Sequence, residues 1–300
     1  MRTHLMKKLK AFNMTGMLFI LPAVLIVILL LIYPIFSSIY FSFTSKNLIR
    51  PLYNFVWFEN FKFVLTNPDF YRAFLNSIKW TVFSITGQLF IGFTAALALN
   101  RIPKFTGFYR TLLIIPWAFP AIVIAFSWKY ILNDVYGFLP NLLTKLGITD
   151  ANINFLADPN FAFIVVVLIN IWFGAPLFMV NILSALKTIP AEQYEAAQMD
   201  GASPFQVFWH ITLRHVRVVI GLLLVLRTIW IFNNFDILYL ITGGGPSDIT
   251  TTLPIFAYRA GWGMKQLGVA SAITVILLLF LLCICFLYFK LLDKWEKEDR

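Results

Sequence analysis

Long apolar runs, separated by short polar segments, make up most of the chain. An α-helix needs about 20 residues to cross the hydrocarbon core of a bilayer. Runs of about that length predict six transmembrane helices, over residues 14–36, 73–99, 111–132, 161–186, 216–235 and 267–292. The predicted fold class is therefore an all-α integral membrane protein.

Details within the apolar runs refine this prediction. The apolar core of a signal peptide has about 7–15 residues and precedes a small-residue cleavage site. Residues 14–36 form a longer run without such a site, which indicates an uncleaved first span. Pro116 and Pro120 are expected to bend the third span, and Gly174 and Pro176 to interrupt the fourth.

Polar segments between the runs are predicted to be loops. The segments at 44–72, 133–160 and 236–266 would be outward loops. In the first of them, Asn67 or Asp69 can cap the helix that follows, because both side chains accept hydrogen bonds from free backbone N–H groups.

Composition and charge place the chain in a membrane and orient it. Hydrophobic residues make up 60% and charged residues 13%, against about 25% charged in soluble domains. The net charge of +10 follows the positive-inside rule, since the predicted inner segments hold 14 of the 24 Lys and Arg residues and the outer segments 8. Both termini are therefore predicted to be cytoplasmic. No basic cluster interleaves with aromatic residues, which argues against nucleic-acid binding.

Residues 189–213 form a polar segment between the fourth and fifth spans. Pro190 suits the first position of a helix, where no backbone donor is needed. Gly201 suits the left-handed turn that ends a helix. Residues 203–206, Ser-Pro-Phe-Gln, match a capping box with proline at the first helical position. The segment is predicted to form two short helices joined at Gly201.

The spacing in this segment resembles the EAA loop of permease subunits of ATP-binding-cassette (ABC) importers. That pattern is Glu-Ala-Ala, three residues, Gly, nine residues and Ile-x-Leu-Pro, and the chain departs from it at Arg214, where the family has Pro. The resemblance implies that the loop docks on a separate ATPase subunit; an ordinary amphipathic connector is the alternative. The residues assigned to ATPase coupling are Glu195, Ala196, Ala197, Gly201, Ile211 and Leu213.

The sequence predicts no catalytic residues and no metal site. None of the 15 glycines directly precedes a lysine, so the phosphate-binding pattern G-x-x-x-x-G-K-[ST] is absent. Cys283 and Cys285 are two residues apart and point in different directions on a helix. His210 and His215 fall at a junction between loop and span, where interfacial roles are expected. If transport uses ATP, another polypeptide must bind it.

Polar residues inside spans tend to face a pathway or a partner helix. Asn170, Phe173, Gly174 and Leu177 share one helical face, and Trp230 and Asn234, four residues apart, share another. An aromatic ring beside an amide suits a neutral sugar, whereas hydrogen bonding between helices is the alternative. Both segments resemble those lining the sugar site of maltose-type permeases. The resemblance assigns to the substrate path Asn170, Phe173, Gly174, Leu177, Trp230 and Asn234.

Two further features bear on the substrate. Arg227 stays charged in any plausible environment, so it would snorkel, pair with an acid on a partner, or line the path, where it would suit an anionic substrate. Residues 236–246, which end in Gly-Gly-Gly-Pro, and the Thr-Thr-Thr-Leu at 250–253 resemble the carbohydrate-uptake branch of these permeases.

Taken with the resemblance, the chain is identified as a permease subunit of a binding-protein-dependent ABC importer with a MetI-like permease core. Its predicted divisions are an N-terminal segment (1–68), a transport core (69–292) that includes the coupling loop (187–217), and a charged, solvated tail (293–300).

The resemblance implies a prokaryotic cytoplasmic (inner) membrane as the location and a second, different permease subunit as the dimer partner. It also implies two ATPase subunits, which bind ATP and Mg²⁺, and an extracytoplasmic solute-binding protein, with no cofactor in this chain. The substrate would be a sugar or a related polyol. The alternatives are an ABC permease for a solute such as a glycerol phosphate, an ion-coupled secondary transporter, or a non-transporting membrane scaffold.

Overall fold

The computed structural model describes the backbone of residues 14–102 and 104–298, and side chains for 18–102 and 104–292. The basic residues 1–12 and the last two residues of the tail lie outside this part. Apart from an isolated antiparallel bridge between Thr44 and Phe55, the regular structure in the described residues is helical. The α-helices are α1 Met14–Val27, α2 Tyr33–Ser42, α3 Glu59–Thr66, α4 Pro68–Arg101, α5 Thr106–Ala118, α6 Ala121–Ile131, α7 Phe138–Lys145, α8 Pro159–Leu186, α9 Ala191–Met199, α10 Pro204–Val207, α11 Leu213–Phe232, α12 Asp236–Thr242, α13 Leu253–Tyr258 and α14 Leu267–Glu298.

Five helical stretches are long and apolar enough to cross a membrane, and α5 with α6 would make a sixth crossing if the bent pair counts as one. These findings agree with the predicted all-α membrane fold. The five are Leu18–Ser42, Pro68–Arg101, Pro159–Leu186, Pro204–Thr242 and Leu267–Leu292.

The third predicted span is sharply bent, which confirms the bend expected at Pro120. Helices α5 and α6 meet at 89°, and the break falls at Phe119, whose backbone is extended (φ −87°, ψ 145°). Pro120 causes this geometry because its ring disfavours helical backbone at the preceding residue. Pro116, which was also expected to bend the span, lies inside α5 without ending it.

The fourth span contradicts the expected interruption at Gly174 and Pro176. Helix α8 runs through both residues without a break, and both are buried. Proline removes one hydrogen bond from a helix, but close packing by neighbouring helices allows a membrane helix to continue through it. Gly174 is covered by side chains from α4 and α11.

Helices also extend into segments expected to be loops or a solvated tail. Helix α7 lies in the segment 133–160, and α12 and α13 lie in 236–266. The backbone of α14 stays helical to Glu298, so the tail continues the last span instead of leaving it. In the first outward segment, Asn67 caps α4, since its Oδ1 accepts from the backbone N–H of Asp69 at 2.9 Å, which confirms one of the two expected caps.

One compact unit comprises the described residues up to Thr66 together with Ala257–Ile276. A π-helical turn, Ile28–Ile32, joins α1 to α2. Every residue from 18 to 36 is exposed in this chain, as suits an apolar helix that faces lipid or another subunit. Asn60 stabilises the C-terminal end of α2, because its Nδ2 donates to the carbonyls of Ser42 and Thr44 at 2.9 and 2.8 Å.

The second compact unit comprises Asn67–Phe256 and the described residues from Leu277 onward. Helices α4 and α8 pack along each other, with α11 against both. Gly92 allows the close approach, because a side chain there would meet Phe178 and the backbone of Ala175. The indole N–H of Trp80 donates to the carbonyl of Ile231 at 3.0 Å and so ties α4 to α11. The largest fully buried side chains include Trp80, Phe178, Met179, Ile182, Ile231 and Phe232.

Candidate functional site

The first helix of the candidate coupling loop ends at Gly201 as the sequence predicts. Gly201 has φ +74°, a left-handed conformation that only glycine adopts without strain. The N–H of Ala202 donates to the carbonyl of Ala197 at 2.9 Å, and that of Gly201 to Gln198 at 3.1 Å. These two bonds make a Schellman motif, which satisfies the free carbonyls at the end of α9.

The capping box at 203–206 is also present. The N–H of Ser203 donates to Gln206 Oε1 at 2.7 Å, and the N–H of Gln206 donates to Ser203 Oγ at 3.3 Å. Pro204 occupies the first turn of α10, which confirms that prediction. Pro190 is one position earlier than expected, because it caps α9 with an extended ψ of 135° and the helix begins at Ala191.

The second helix of the loop is not a separate short helix. A π-helical turn, Phe208–Thr212, connects α10 to α11, so helical backbone runs from Pro204 to Phe232. Arg214 is compatible with this continuity, because it keeps the backbone N–H that the proline of the family pattern lacks. The chain therefore enters the fifth span through an unbroken helix.

The loop presents one open side and one anchored side. Glu195, Ala196 and Gly201 are exposed, Ala197 is half-buried, and α9 contains no buried residue. Ile211 and Leu213 are half-buried and pack against the hydrophobic core. A hydrogen bond of 3.2 Å between the hydroxyls of Tyr194 and Thr212 fastens α9 to the helix that enters the membrane.

Three large apolar side chains of the loop segment are exposed, and the ring centroids of Phe205 and Trp209 lie 6.0 Å apart. Met199, Phe205 and Trp209 are 89%, 71% and 50% exposed. Next to them is a shallow groove of about 300 Å³, formed by Gly201 and residues on both sides of it. Exposed apolar side chains in contiguous groups are typical of protein–protein contacts, so the loop has the character of a docking surface.

Inside the membrane span, a cluster of polar side chains connects three helices. Arg227 on α11 donates from Nε and Nη2 to Gln88 Oε1 on α4 at 3.0 and 2.8 Å. Gln88 Nε2 donates in turn to the carbonyl of Asn170 on α8 at 2.8 Å. Gly174 makes room for this arrangement, since a side chain there would overlap with Gln88 and Arg227. We call Gln88, Asn170, Gly174 and Arg227 the polar cluster.

The other candidate path residues surround this cluster to different degrees. Trp230 is 48% exposed, and its ring centroid lies 5.8 Å from the guanidinium carbon of Arg227. Phe173 and Leu177 are half-buried. Asn234 lies just beyond α11, where its N–H donates to the carbonyl of Ile231 at 3.0 Å; no described hydrogen bond connects it to the cluster.

Two amide atoms of the candidate path have no hydrogen-bond partner among the described residues. They are Nδ2 of Asn170 and Oδ1 of Asn234, and both atoms are buried. A buried amide atom without a partner costs free energy, so both atoms are candidates for a hydrogen bond that forms only when the surrounding helices move.

Sequence reasoning missed Gln88 entirely and left the role of Arg227 open. Gln88 is fully buried in the middle of an apolar run, and the criterion that selected Asn170, a polar residue inside a span, also applies to it. Arg227 is 5% exposed and bound to Gln88, so snorkelling toward the membrane surface is wrong. Within the described part of the chain, it forms no ion pair with a carboxylate.

Comparison with known proteins identifies the family. Residues 88–297 match the model of the binding-protein-dependent transport system inner membrane component. The chain belongs to this permease family. The matched stretch includes the polar cluster, the coupling loop and the last span.

The permease is similar to several curated transport proteins over nearly its whole length. It is 32% identical to the trehalose/maltose transport system permease protein MalF of Thermococcus litoralis, covering 92% of each chain. It is 32% identical to the sulfoquinovosyl glycerol transport system permease protein SmoG of Agrobacterium fabrum, covering 93% of this chain and 91% of that one. It is 31% identical to the diacetylchitobiose uptake system permease protein DasB of Streptomyces coelicolor, covering 94% and 88%.

Solved structures show the same fold. A bacterial ABC transporter involved in the import of the acidic polysaccharide alginate matches with a TM-score of 0.84 at 22% identity, over 97% of this chain and 99% of that one. The MetNI methionine ABC transporter in an inward-facing conformation matches with a TM-score of 0.53 at 17% identity, over 79% and 98%. Both likenesses support the predicted MetI-like permease core.

The remaining titratable side chains at the site do not gather into a metal-binding group. No group of three or more His, Cys, Asp or Glu residues that could hold a metal ion is present in the described ranges. A ring nitrogen of His210 lies 3.0 Å from the carbonyl of Gln206, and one of His215 lies 2.8 Å from that of Ile211. Both rings therefore engage their own helix.

Proposed function

We propose that this permease forms half of the translocation path for a sugar or related polyol in an ATP-driven importer. The observation that carries the proposal is the pairing of two surfaces in one chain. Aromatic and amide side chains within the membrane can bind a carbohydrate. An exposed loop with apolar side chains can bind an ATPase subunit. Similarity to the trehalose/maltose and diacetylchitobiose permeases supports a carbohydrate as the substrate.

In this proposal the coupling loop transmits movement from an ATPase subunit to the membrane. The exposed side of the loop, around Glu195 and Gly201, docks on the ATPase. Because α10 continues into α11 without a break, a displacement of the loop reaches Arg227 and Trp230 through one rigid element. ATP binding then favours one of two states of the path, as alternating access requires.

The substrate path contains Asn170, Phe173, Gly174, Leu177, Trp230 and Asn234 in this proposal. Trp230 supplies an exposed aromatic face for a sugar ring, and the free amide atoms of Asn170 and Asn234 supply a donor and an acceptor for hydroxyl groups. The predicted alternative, hydrogen bonding between helices of this chain, has less support for these two amides, because the described residues provide no partner for either atom.

The importer would contain this permease, a second and different permease, two ATPase subunits and an extracytoplasmic solute-binding protein. This chain hydrolyses no ATP and binds no cofactor in the proposal, and its termini face the cytoplasm. An ion-coupled secondary transporter would need an acidic residue within the membrane. The buried side chains of the described residues include no carboxylate, which favours the importer.

Purification of the full chain through an affinity tag tests the proposal. We expect a second permease and an ATPase to co-purify in detergent, with ATP hydrolysis in the purified complex. A chain that reaches the membrane, transports a sugar without any ATPase companion and responds to an ion gradient would overturn it.

A further inference from the structure

The polar cluster holds an unusual charge. Arg227 is the one charged side chain among the buried residues that the structure describes, with 5% of its surface exposed. It lies 14 residues beyond Leu213, or about 21 Å along the helix axis. The guanidinium is therefore placed well inside the membrane span, and arginine keeps its proton there.

Neutral groups alone hold this cation in place. Both of its hydrogen bonds go to Gln88 Oε1, and the aromatic ring of Trp230 lies nearby. No carboxylate pairs with it in the described ranges. The positive charge is therefore fixed but not cancelled within this chain.

A purely structural role would not need a charge. Gln88 and Arg227 do connect α4 to α11, but apolar side chains of similar volume would fill the same space without the cost of removing a cation from water. Compared with an apolar pair, Gln88 and Arg227 add a positive charge to the interior of the span.

Two oxygen atoms of the cluster already accept hydrogen bonds from its own donors. Metal cations such as Mg²⁺ and Ca²⁺ are bound in proteins by oxygen atoms. Gln88 Oε1 and the backbone carbonyl oxygen of Asn170 already accept hydrogen bonds. The buried atom of the cluster that has no hydrogen-bond partner in the described residues is a donor, Nδ2 of Asn170. A fixed positive charge repels cations, whereas a neutral solute carries no net charge to be repelled.

We propose that Arg227 is an electrostatic barrier that keeps small cations out of the translocation path while a neutral solute passes. This inference rests on the proposed function, because it requires the cluster to border the path. A membrane potential that is negative inside drives cations inward, and a path wide enough for a sugar is wide enough for K⁺ or Na⁺. A fixed charge in surroundings of low dielectric constant raises the energy of a nearby cation strongly.

The test measures ion selectivity and needs no knowledge of the sugar. The complex that co-purifies with this chain is reconstituted into planar bilayers under a KCl gradient, and the reversal potential gives the ratio of K⁺ to Cl⁻ permeability of the residual leak. We expect the Arg227→Gln variant to raise this ratio by roughly tenfold or more. Arg227→Lys, which keeps the charge, should stay near the wild-type ratio.

Control variants separate charge from packing. The double variant Gln88→Leu with Arg227→Met replaces the polar pair by apolar side chains, and we expect it to shift the ratio as far as Arg227→Gln does. Lys79→Gln removes an exposed charge from α4 and should leave the ratio unchanged. General damage to the fold would add an unselective leak and move the ratio toward one in Arg227→Lys as well, so the difference between Arg227→Gln and Arg227→Lys separates damage from loss of the charge.

An unchanged ratio in Arg227→Gln would overturn the barrier, as would an equal shift in Arg227→Gln and Arg227→Lys. A failure of the proposed function is recognised separately, because the wild-type chain would then purify without an ATPase.

Discussion

The coupling loop and the polar cluster are built in opposite ways. The loop is exposed and is shaped by contacts between residues three to five positions apart, such as the Schellman motif at Gly201 and the capping box at Ser203. The cluster is buried and is shaped by contacts across 82 and 139 positions of the chain. The backbone of the exposed loop is thus set mainly by short-range contacts, while the membrane interior depends on how distant helices meet.

The largest effect on stability is expected in the buried polar cluster. Gln88→Leu removes both hydrogen bonds from Arg227 and should destabilise the permease by about 3 kcal/mol, because a buried charged group then lacks a partner. The readout is the thermal stability of the detergent-purified chain. Adding Arg227→Met should restore most of the loss, since no unpaired cation remains. If Gln88→Leu alone is as stable as the wild type, Arg227 has another hydrogen-bond partner and the prediction is wrong.

The next largest effect is expected on sugar uptake, at the turn of the coupling loop. Gly201→Val forces a β-branched residue into a left-handed turn, at a cost of about 1–2 kcal/mol, and we expect sugar uptake to be lost while the chain still reaches the membrane. Gly147→Val is the matched control, because Gly147 also has positive φ, at +68°, and open space around it. Equal loss of uptake in both variants would contradict a specific role for the loop.

The capping box provides a smaller test of the loop. Ser203→Ala removes the acceptor for the N–H of Gln206 and should weaken the start of α10 by about 1 kcal/mol. We expect uptake to fall by several-fold, with the ATPase still bound in the purified complex. Ser184→Ala is the control, since Ser184 also bonds a backbone group, the carbonyl of Val180, but lies on α8. A larger fall in uptake for Ser184→Ala than for Ser203→Ala would contradict a specific role of the loop in transport.

The smallest effect is expected at the end of α11. Asn234→Ala should lower sugar uptake by a few-fold, because a buried acceptor with no described partner is lost, without changing stability or the amount of co-purified ATPase. Unchanged uptake would assign Asn234 to packing. Asn233→Ala is the neighbouring control, because that side chain is exposed and bonds its own helix.

The same difference explains what the sequence could predict. Residues such as Gly201, Ser203 and Asn67 determine their backbone within a few positions, and their structures were foreseen correctly. The bend at Pro120 is set by the proline itself and was foreseen, whereas the continuous path of α8 through Pro176 depends on packing by neighbouring helices and was misjudged. Pairing of Gln88 with Arg227 requires knowing which faces of α4 and α11 meet, and periodicity within one helix does not contain that information.

Continuity between loop and span was the other point that a sequence pattern left open. Arg214 occupies the position where the family has proline, and the structure shows that helical backbone runs from Pro204 to Phe232. Arg214 therefore lies within continuous helical backbone, and the turn at Gly201 forms as the family pattern predicts.

In the proposed mechanism, the exposed side of the loop docks on an ATPase in the cytoplasm. The most direct test of this docking is a single cysteine in place of Met199, in a chain whose native Cys283 and Cys285 are serines. We predict cross-linking to an ATPase subunit and labelling by an impermeant maleimide only in inside-out vesicles. Labelling in intact right-side-out vesicles, or no cross-link to any ATPase in an active complex, would contradict the account.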